Sequence, residues 1–283
     1  MPRQYAGVGG SCSTARCARD KAQGSWGGRR VVFDVPVLPA GDCAWFLDID
    51  GTLVEIADAP DRVLADASLL QLVGRLASAS RGALALISGR SIDEIDRLFA
   101  PLHLPAAGQH GVEHRSASGR LYRHEASSSG ISSMLRAASA WTAGRTGIVL
   151  EDKGYTFAMH YRQAPQMGDE VRVFLQRLLD QSAGDYRLQG GKMVFEIRPG
   201  GKDKGTAVVE FMQEPPFRGR TPVFIGDDIG DEYAFSVVDG LGGMAIKVGT
   251  GESVARWRLP SVAAVRAWIR ECLPVECSLG TKA

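Results

Sequence analysis

An α/β fold, a doubly wound parallel sheet with a smaller α+β unit inserted into it, is predicted by three features of the sequence. Short continuous apolar runs alternate with helical patterns towards both ends of the chain, as in strands buried on both faces. The middle changes to alternation of large apolar and polar residues, the mark of a sheet with one exposed face. Acidic and hydroxyl residues stand where the apolar runs stop, which is where open α/β sheets gather their ligands.

The elements follow in chain order. The stretch "GVGGSCSTARCARDKAQGSWGGRR" is rich in Gly, Ser, Ala and Arg, so residues 1–40 are expected to be a disordered extension. "CAWFL" is the first buried strand, and "SLLQLVGRLAS" a helix through Leu69, Leu72, Val73 and Leu76. "ALALI" is a second strand. In "SGRSIDEIDRLF" the Ser91–Glu94 spacing of a capping box opens a helix with Ile92, Ile95 and Phe99 on one face. In "YTFAMHYR", Tyr155, Phe157, Met159 and Tyr161 alternate with polar or small residues, and "KMVFEIR" repeats the pattern through Met193, Phe195 and Ile197. Between them "EVRVFLQRLLD" reads as a helix. After the loop "RPGGKDKG" the first pattern resumes: "TAVVEFM" helix, "PVFIGDD" strand, "EYAFSVV" helix, "GMAIKVG" strand, "SVAAVRAWIREC" helix. Residues 41–112 and 199–283 therefore form one core, interrupted by an α+β insertion over 113–198.

Composition narrows the possible functions. With 33 basic and 32 acidic residues the formal charge is +1, which gives no reason to expect nucleic acid or a membrane surface as partner. No stretch reaches the ~18 uninterrupted apolar residues of a membrane span. The cysteines, Cys12, Cys17, Cys43, Cys272 and Cys277, are odd in number and lack paired zinc spacings. A reduced, cytoplasmic, monomeric protein is expected.

"LDIDGT" places Asp48 and Asp50 at the end of the first strand, Ser88 ends the second, and "GDDIGD" brings Asp227, Asp228 and Asp231 to the end of a third. Up to five carboxylates in one crevice repel one another unless a cation joins them, and an all-oxygen cluster suits Mg²⁺. Lys204, at the mouth of the helix "KGTAVV", adds a positive charge. Such a site suits phosphoryl transfer: one carboxylate attacks phosphorus, a second moves protons, and serine and lysine hold the phosphoryl oxygens. Taken singly each piece has a plainer reading. "DIDGT" is also a turn sequence, Ser88 a loop opener, Lys204 a surface lysine and "GDDIGDE" an acidic helix start. The case rests on their joint order.

These pieces, in this order, resemble the haloacid dehalogenase (HAD) superfamily of aspartyl phosphatases. The resemblance implies an HAD-like core with Asp48 as nucleophile, Asp50 as general acid/base, and Ser88 and Lys204 as phosphoryl clamps. It places Mg²⁺ on Asp48, the Asp50 backbone carbonyl and Asp227, supported by Asp228 and Asp231, and makes the insertion a substrate-reading cap. "GQHGVEHR", "EDKGYTFAMHYRQAP" and "GKMVFEIRPGGKDKG" further resemble the trehalose-6-phosphate phosphatase family from about residue 43 to about residue 270. By that likeness the substrate is trehalose 6-phosphate. Arg90, His110, Glu113, Lys153, His160, Arg162, Lys192 and Glu196 become its expected contacts. One departure is Gly230, where the family pattern has Thr. A phosphatase or phosphomutase for another sugar phosphate would share the core residues, and a non-catalytic phosphosugar-binding module would share the fold.

Overall fold

The computed structural model describes residues 23–26, 29–32, 34–56, 63–123 and 128–274. Residues 1–22 of the expected extension lie outside this range. Strands β1 (Gln23–Trp26) and β2 (Arg29–Val32) pair antiparallel. Val35 and Ala40 are buried in the core, so packed structure begins before residue 41.

The core sheet contains β3 (Cys43–Leu47), β4 (Leu84–Ile87), β5 (Ala106–Gly108), β6 (Glu113–Arg115), β7 (Leu121–Arg123), and, later in the chain, β12 (Thr221–Gly226), β13 (Met244–Val248) and β14 (Trp257–Leu259). Their order is β14-β13-β12-β3-β4-β5-β6-β7. The strands from β14 to β5 are parallel. β6 and β7 extend the sheet antiparallel. This corrects the expected boundary, because residues 113–123 belong to the core sheet and not to the insertion.

Every residue of β3 is buried because helices cover both sheet faces. Trp45 and Leu47 pack with α1 (Ala67–Ala79), α2 (Ile92–Phe99) and α7 (Val262–Cys272), while Ala44 and Phe46 face α5 (Lys204–Met212) and α6 (Asp231–Gly240). The Trp45 indole donates to the Ala40 carbonyl at 3.1 Å and lies 5.7 Å from the Trp268 ring, so its polar edge is satisfied while its area is buried. Leu69, Leu72, Val73 and Leu76 are all buried along α1, as their spacing predicts. The capping box at Ser91 and Glu94 forms and starts α2 immediately after the Ser88 loop.

The insertion holds α3 (Ser128–Thr142), β8 (Val149–Asp152), β9 (Phe157–His160), α4 (Gly168–Asp180), β10 (Tyr186–Gly191) and β11 (Val194–Pro199). Its four strands form an antiparallel sheet ordered β10-β11-β9-β8. Phe157, Met159, Phe195 and Ile197 pack on α3 and α4. The register aligns Gln189, Glu196, Ala158 and Glu151 in a row across the opposite face. Lys192 and Met193 fall in the turn between β10 and β11, Met193 with a φ of 63°, so the strand expected from residue 192 starts at Val194.

Candidate active site

β3 lies between β12 and β4, so consecutive strands leave it in both directions, and the crevice at its carboxyl end is the topological switch point of the sheet. Asp48 continues β3 and donates its backbone N–H to the Ile225 carbonyl of β12 at 3.0 Å. Its buried carboxylate accepts from Lys204 Nζ at 2.7 Å and from the Thr52 hydroxyl at 3.1 Å. Lys204 is itself buried at the start of α5, behind the Asp203–Thr206 capping box, and also reaches Asp231 at 2.6 Å. Residues 156 positions apart thus meet as an ion pair, as the strand-end pattern predicts.

Among the described residues, Asp48, Asp227 and Asp231 each bring a ligand oxygen within 4.8 Å of the others. Burial holds the Asp48 carboxyl well above the usual carboxylate range; Lys204 opposes this, and Asp231 and Asp227 reinforce it. Burial, then Asp231, pushes Asp227 up to about 6. Burial alone would lower Lys204, but Asp231 and Asp48 override it and hold the ammonium charged.

This donor set fits a hard divalent cation. Asp227 Oδ1 is buried without a hydrogen-bond partner, and Asp227 occupies the place of a side chain at position 51: a Cβ on Gly51 would lie 2.1 Å from Asp227 Oδ2. Asp231 is placed differently from Asp227, because one of its oxygens accepts from Lys204 and the other from the Asp228 N–H at 2.8 Å. It holds the lysine and the loop. Asp228 stands outside the cluster, at the cavity wall, with its carboxylate accepting from the Ile229 N–H.

Asp50 is bound by Arg90 through two hydrogen bonds, at 2.7 Å from Nε and 2.6 Å from a terminal nitrogen. The Ser88 hydroxyl accepts from the Arg90 N–H at 3.2 Å, so "SGR" folds as a compact loop beside the acids. Over this floor lies a cavity of about 1310 Å³, lined below by Asp50, Arg90 and Lys204 and above by Glu151, Lys153, His160, Arg162 and Lys192. It exceeds the ~300–1,000 Å³ of ordinary small-molecule sites. Ile56, Leu64, Leu98, Val149 and Val194 add apolar wall.

At the seam between insertion and core, Lys153 Nζ donates to the Gly89 carbonyl and to Glu196, each at 3.2 Å. His110 Nε2 lies 3.5 Å from the same Glu196 oxygen. Burial alone would raise the Glu196 carboxyl, but Lys153 and then His110 override it and hold it below its ordinary 4.5. The linkage sign follows: this carboxylate contributes stability above pH 4.5, lost as pH falls towards its lowered value. Glu196→Gln is therefore expected to melt below the wild type at pH 7, with a gap that narrows below about pH 4.5, as thermal scans across pH would show. A constant gap would remove the charge from this account.

Glu113, expected at the substrate, is elsewhere. Its carboxylate accepts from the Ile92 N–H at 2.8 Å and from Arg123 at 3.3 Å, capping the first turn of α2. Its charge serves the helix terminus, and it does not line the cavity. Two residues went unread in the sequence. Thr52 bonds Asp48, and Glu151 lines the cavity and accepts from His160 Nε2 at 2.8 Å. Glu151 had a signal: it lies two residues before Lys153 in the quoted "EDKGYTF".

The trehalose-phosphatase family profile matches residues 46–262, more than half of the chain. The chain belongs to the trehalose-phosphatase family. It is 48% identical over 229 residues to a trehalose-6-phosphate phosphatase of Escherichia coli (strain K12), covering 80% of this chain and 85% of that one. A probable trehalose-phosphate phosphatase of Sinorhizobium fredii is 42% identical over 229 residues, 80% of this chain and 86% of its own. A solved trehalose-6-phosphate phosphatase related protein superposes with a TM-score of 0.68 at 28% identity, covering 80% of this chain and 94% of that one. A HAD phosphatase from Bacteroides thetaiotaomicron, 14% identical with a TM-score of 0.57 over 83% of this chain and 95% of its own, shares the fold. This trehalose-phosphatase family member is thus a phosphatase with the HAD fold. At Gly230, its departure from the family pattern, a Cβ would lie 2.9 Å from Gln189 Nε2 of the insertion.

Proposed function

We propose that this enzyme hydrolyses trehalose 6-phosphate to trehalose and phosphate through a phosphoryl group carried on Asp48, with Mg²⁺ as cofactor. The observation that carries this reading is the buried Asp48–Lys204 pair at the floor of a cavity roofed by the charged face of the cap.

Lys204 and Thr52 fix the Asp48 carboxylate, so one oxygen is oriented for attack without reorganisation. That oxygen forms a bond to phosphorus as the bond to the sugar oxygen breaks, and the leaving oxygen takes a proton from Asp50. Asp50 then accepts a proton from water; the hydroxide oxygen bonds phosphorus, phosphate leaves, and the Asp48 carboxylate is restored. Arg90, which binds Asp50 in the structure, faces the cavity and transfers its fork to the substrate when Asp50 turns to the leaving group. Ser88 and Lys204 hold phosphoryl oxygens. Asp48, Asp227 and the Asp50 carbonyl would hold Mg²⁺, which would supply positive charge against the phosphoryl group and the crowded carboxylates. In the cap, Glu151, Lys153, His160, Arg162 and Lys192 offer donors and acceptors to sugar hydroxyls, and Glu196 holds Lys153 in place. A cytoplasmic monomer fits this role.

A phosphate-release panel over several sugar phosphates, with and without a chelator, tests the assignment. Trehalose 6-phosphate is expected to be the best substrate, with activity lost on chelation and restored by Mg²⁺. Equal turnover of sucrose or hexose phosphates would oppose the substrate assignment, and full activity after chelation would oppose the cofactor. Glu196→Ala is expected to lower kcat/KM for trehalose 6-phosphate by about tenfold or more relative to a small aryl phosphate. Equal losses would show that the cap face does not read the sugar.

A further inference from the structure

The turn Gln109–Gly111, between β5 and β6, is strapped to both phosphoryl clamps. The Gln109 N–H donates to the Arg90 carbonyl at 2.8 Å and the His110 N–H to the Ser88 carbonyl at 3.0 Å. Gly111 presses on the mouth of α5, where a Cβ would meet the Asp203 carbonyl at 2.8 Å, one residue before Lys204. Gln109 and His110 have φ values of 46° and 57°, a left-handed backbone that costs a non-glycine residue about 1–3 kcal/mol. Such a conformation persists where surrounding bonds over-determine it.

From this turn the Gln109 side chain, 1% exposed, reaches into the cap and donates from Nε2 to the Lys153 carbonyl at 2.8 Å. Lys153 returns to the core through its Nζ bond to the Gly89 carbonyl, inside the Ser88 loop, and Glu196 bridges Lys153 and His110. The result is a closed circuit of cap and core groups. Two atoms of this turn, Gln109 Oε1 and His110 Nδ1, are buried without hydrogen-bond partners in the structure. The cap keeps its own apolar cluster, separate from those of the core, so this seam is joined through specific polar bonds, as suits two parts that move relative to one another.

We propose that Gln109 is a positioning residue: it latches the Lys153 segment of the cap to the loops of the core, so that the cap is held closed over a substrate that reaches it. This rests on the proposed hydrolysis of trehalose 6-phosphate. A substrate long enough to touch the cap gains from the latch, whereas a small aryl phosphate, held by the core alone, does not.

The test compares wild type with Gln109→Met, which keeps volume and loses the donor, and Gln109→Gly, which also relieves the left-handed backbone. Both are expected to raise KM for trehalose 6-phosphate about tenfold, with kcat and KM for p-nitrophenyl phosphate within about twofold of wild type. Amide exchange over residues 150–157 with Mg²⁺ present is expected to quicken about tenfold in both. Unchanged KM for the sugar phosphate and unchanged exchange would overturn the latch, as would equal losses on both substrates. Should wild type hydrolyse the aryl ester but not trehalose 6-phosphate, the substrate reading fails on its own, and the exchange rates still decide the latch.

Discussion

Asp48→Asn is expected to release phosphate at below about 10⁻⁴ of the wild-type rate while melting at or above the wild-type temperature. The loss is large because a neutral amide oxygen is too weak a nucleophile to form the acyl phosphate that divides hydrolysis into two easier steps. The fold survives because the Asp48 carboxylate is itself a cost: burial, with Asp231 and Asp227 nearby, raises its pKa. A neutral side chain of the same shape removes one charge from a crowded site and leaves Lys204 paired with Asp231 at 2.6 Å. Phosphate release and a thermal melt on the same preparation check both halves. Activity within tenfold of wild type would remove Asp48 from the chemistry, and a collapsed melt would make the residue structural.

Lys204→Met carries the second large effect, with the opposite balance. Lys204 is the cation that contacts both Asp48 and Asp231, each within 2.7 Å. Its removal leaves three neighbouring carboxylates with no ammonium between them. Breaking a buried ion pair from one side costs about 3–5 kcal/mol. At about 2–4 °C per kcal/mol for a domain of this size, the melting temperature is expected to fall by about 6–20 °C. Millimolar Mg²⁺ should recover part of that loss, because a cation that binds the folded carboxylates stabilises them by mass action, while activity stays low for want of the phosphoryl clamp. A melt unchanged by the substitution, or indifferent to magnesium, would contradict the electrostatic account of the site.

Much of this arrangement was legible in the chain because its signals are local. "CAWFL", "ALALI" and "PVFIG" are buried on both sheet faces and so carry no polar interruption. The acids that follow them meet because parallel strands end on one edge of the sheet. Ser91 and Glu94 announced a helix start from their spacing alone. Other features depend on partners that spacing does not reveal. β6 and β7 are three residues each and β7 is exposed, so they gave no periodic run, and the core was expected to break off at residue 112. Helix α3 is rich in serine, with a glycine in its first turn, a composition that reads as a turn before it reads as a helix. Glu113 sits in a motif shared with His110, yet its carboxylate turns to a backbone N–H 21 positions away. The Arg90–Asp50 pair and the left-handed backbone at Gln109 likewise exist only once the sheet has brought loops 88–90 and 109–111 together.

The most direct test is chemical. Enzyme mixed with one equivalent of trehalose 6-phosphate in Mg²⁺, quenched in acid within a single turnover and digested, should yield one phosphorylated peptide, the one containing Asp48. The same peptide from Asp48→Asn should be unmodified. A phosphoryl group found on another residue, or complete turnover with no phosphorylated peptide at any quench time, would contradict nucleophilic attack by Asp48.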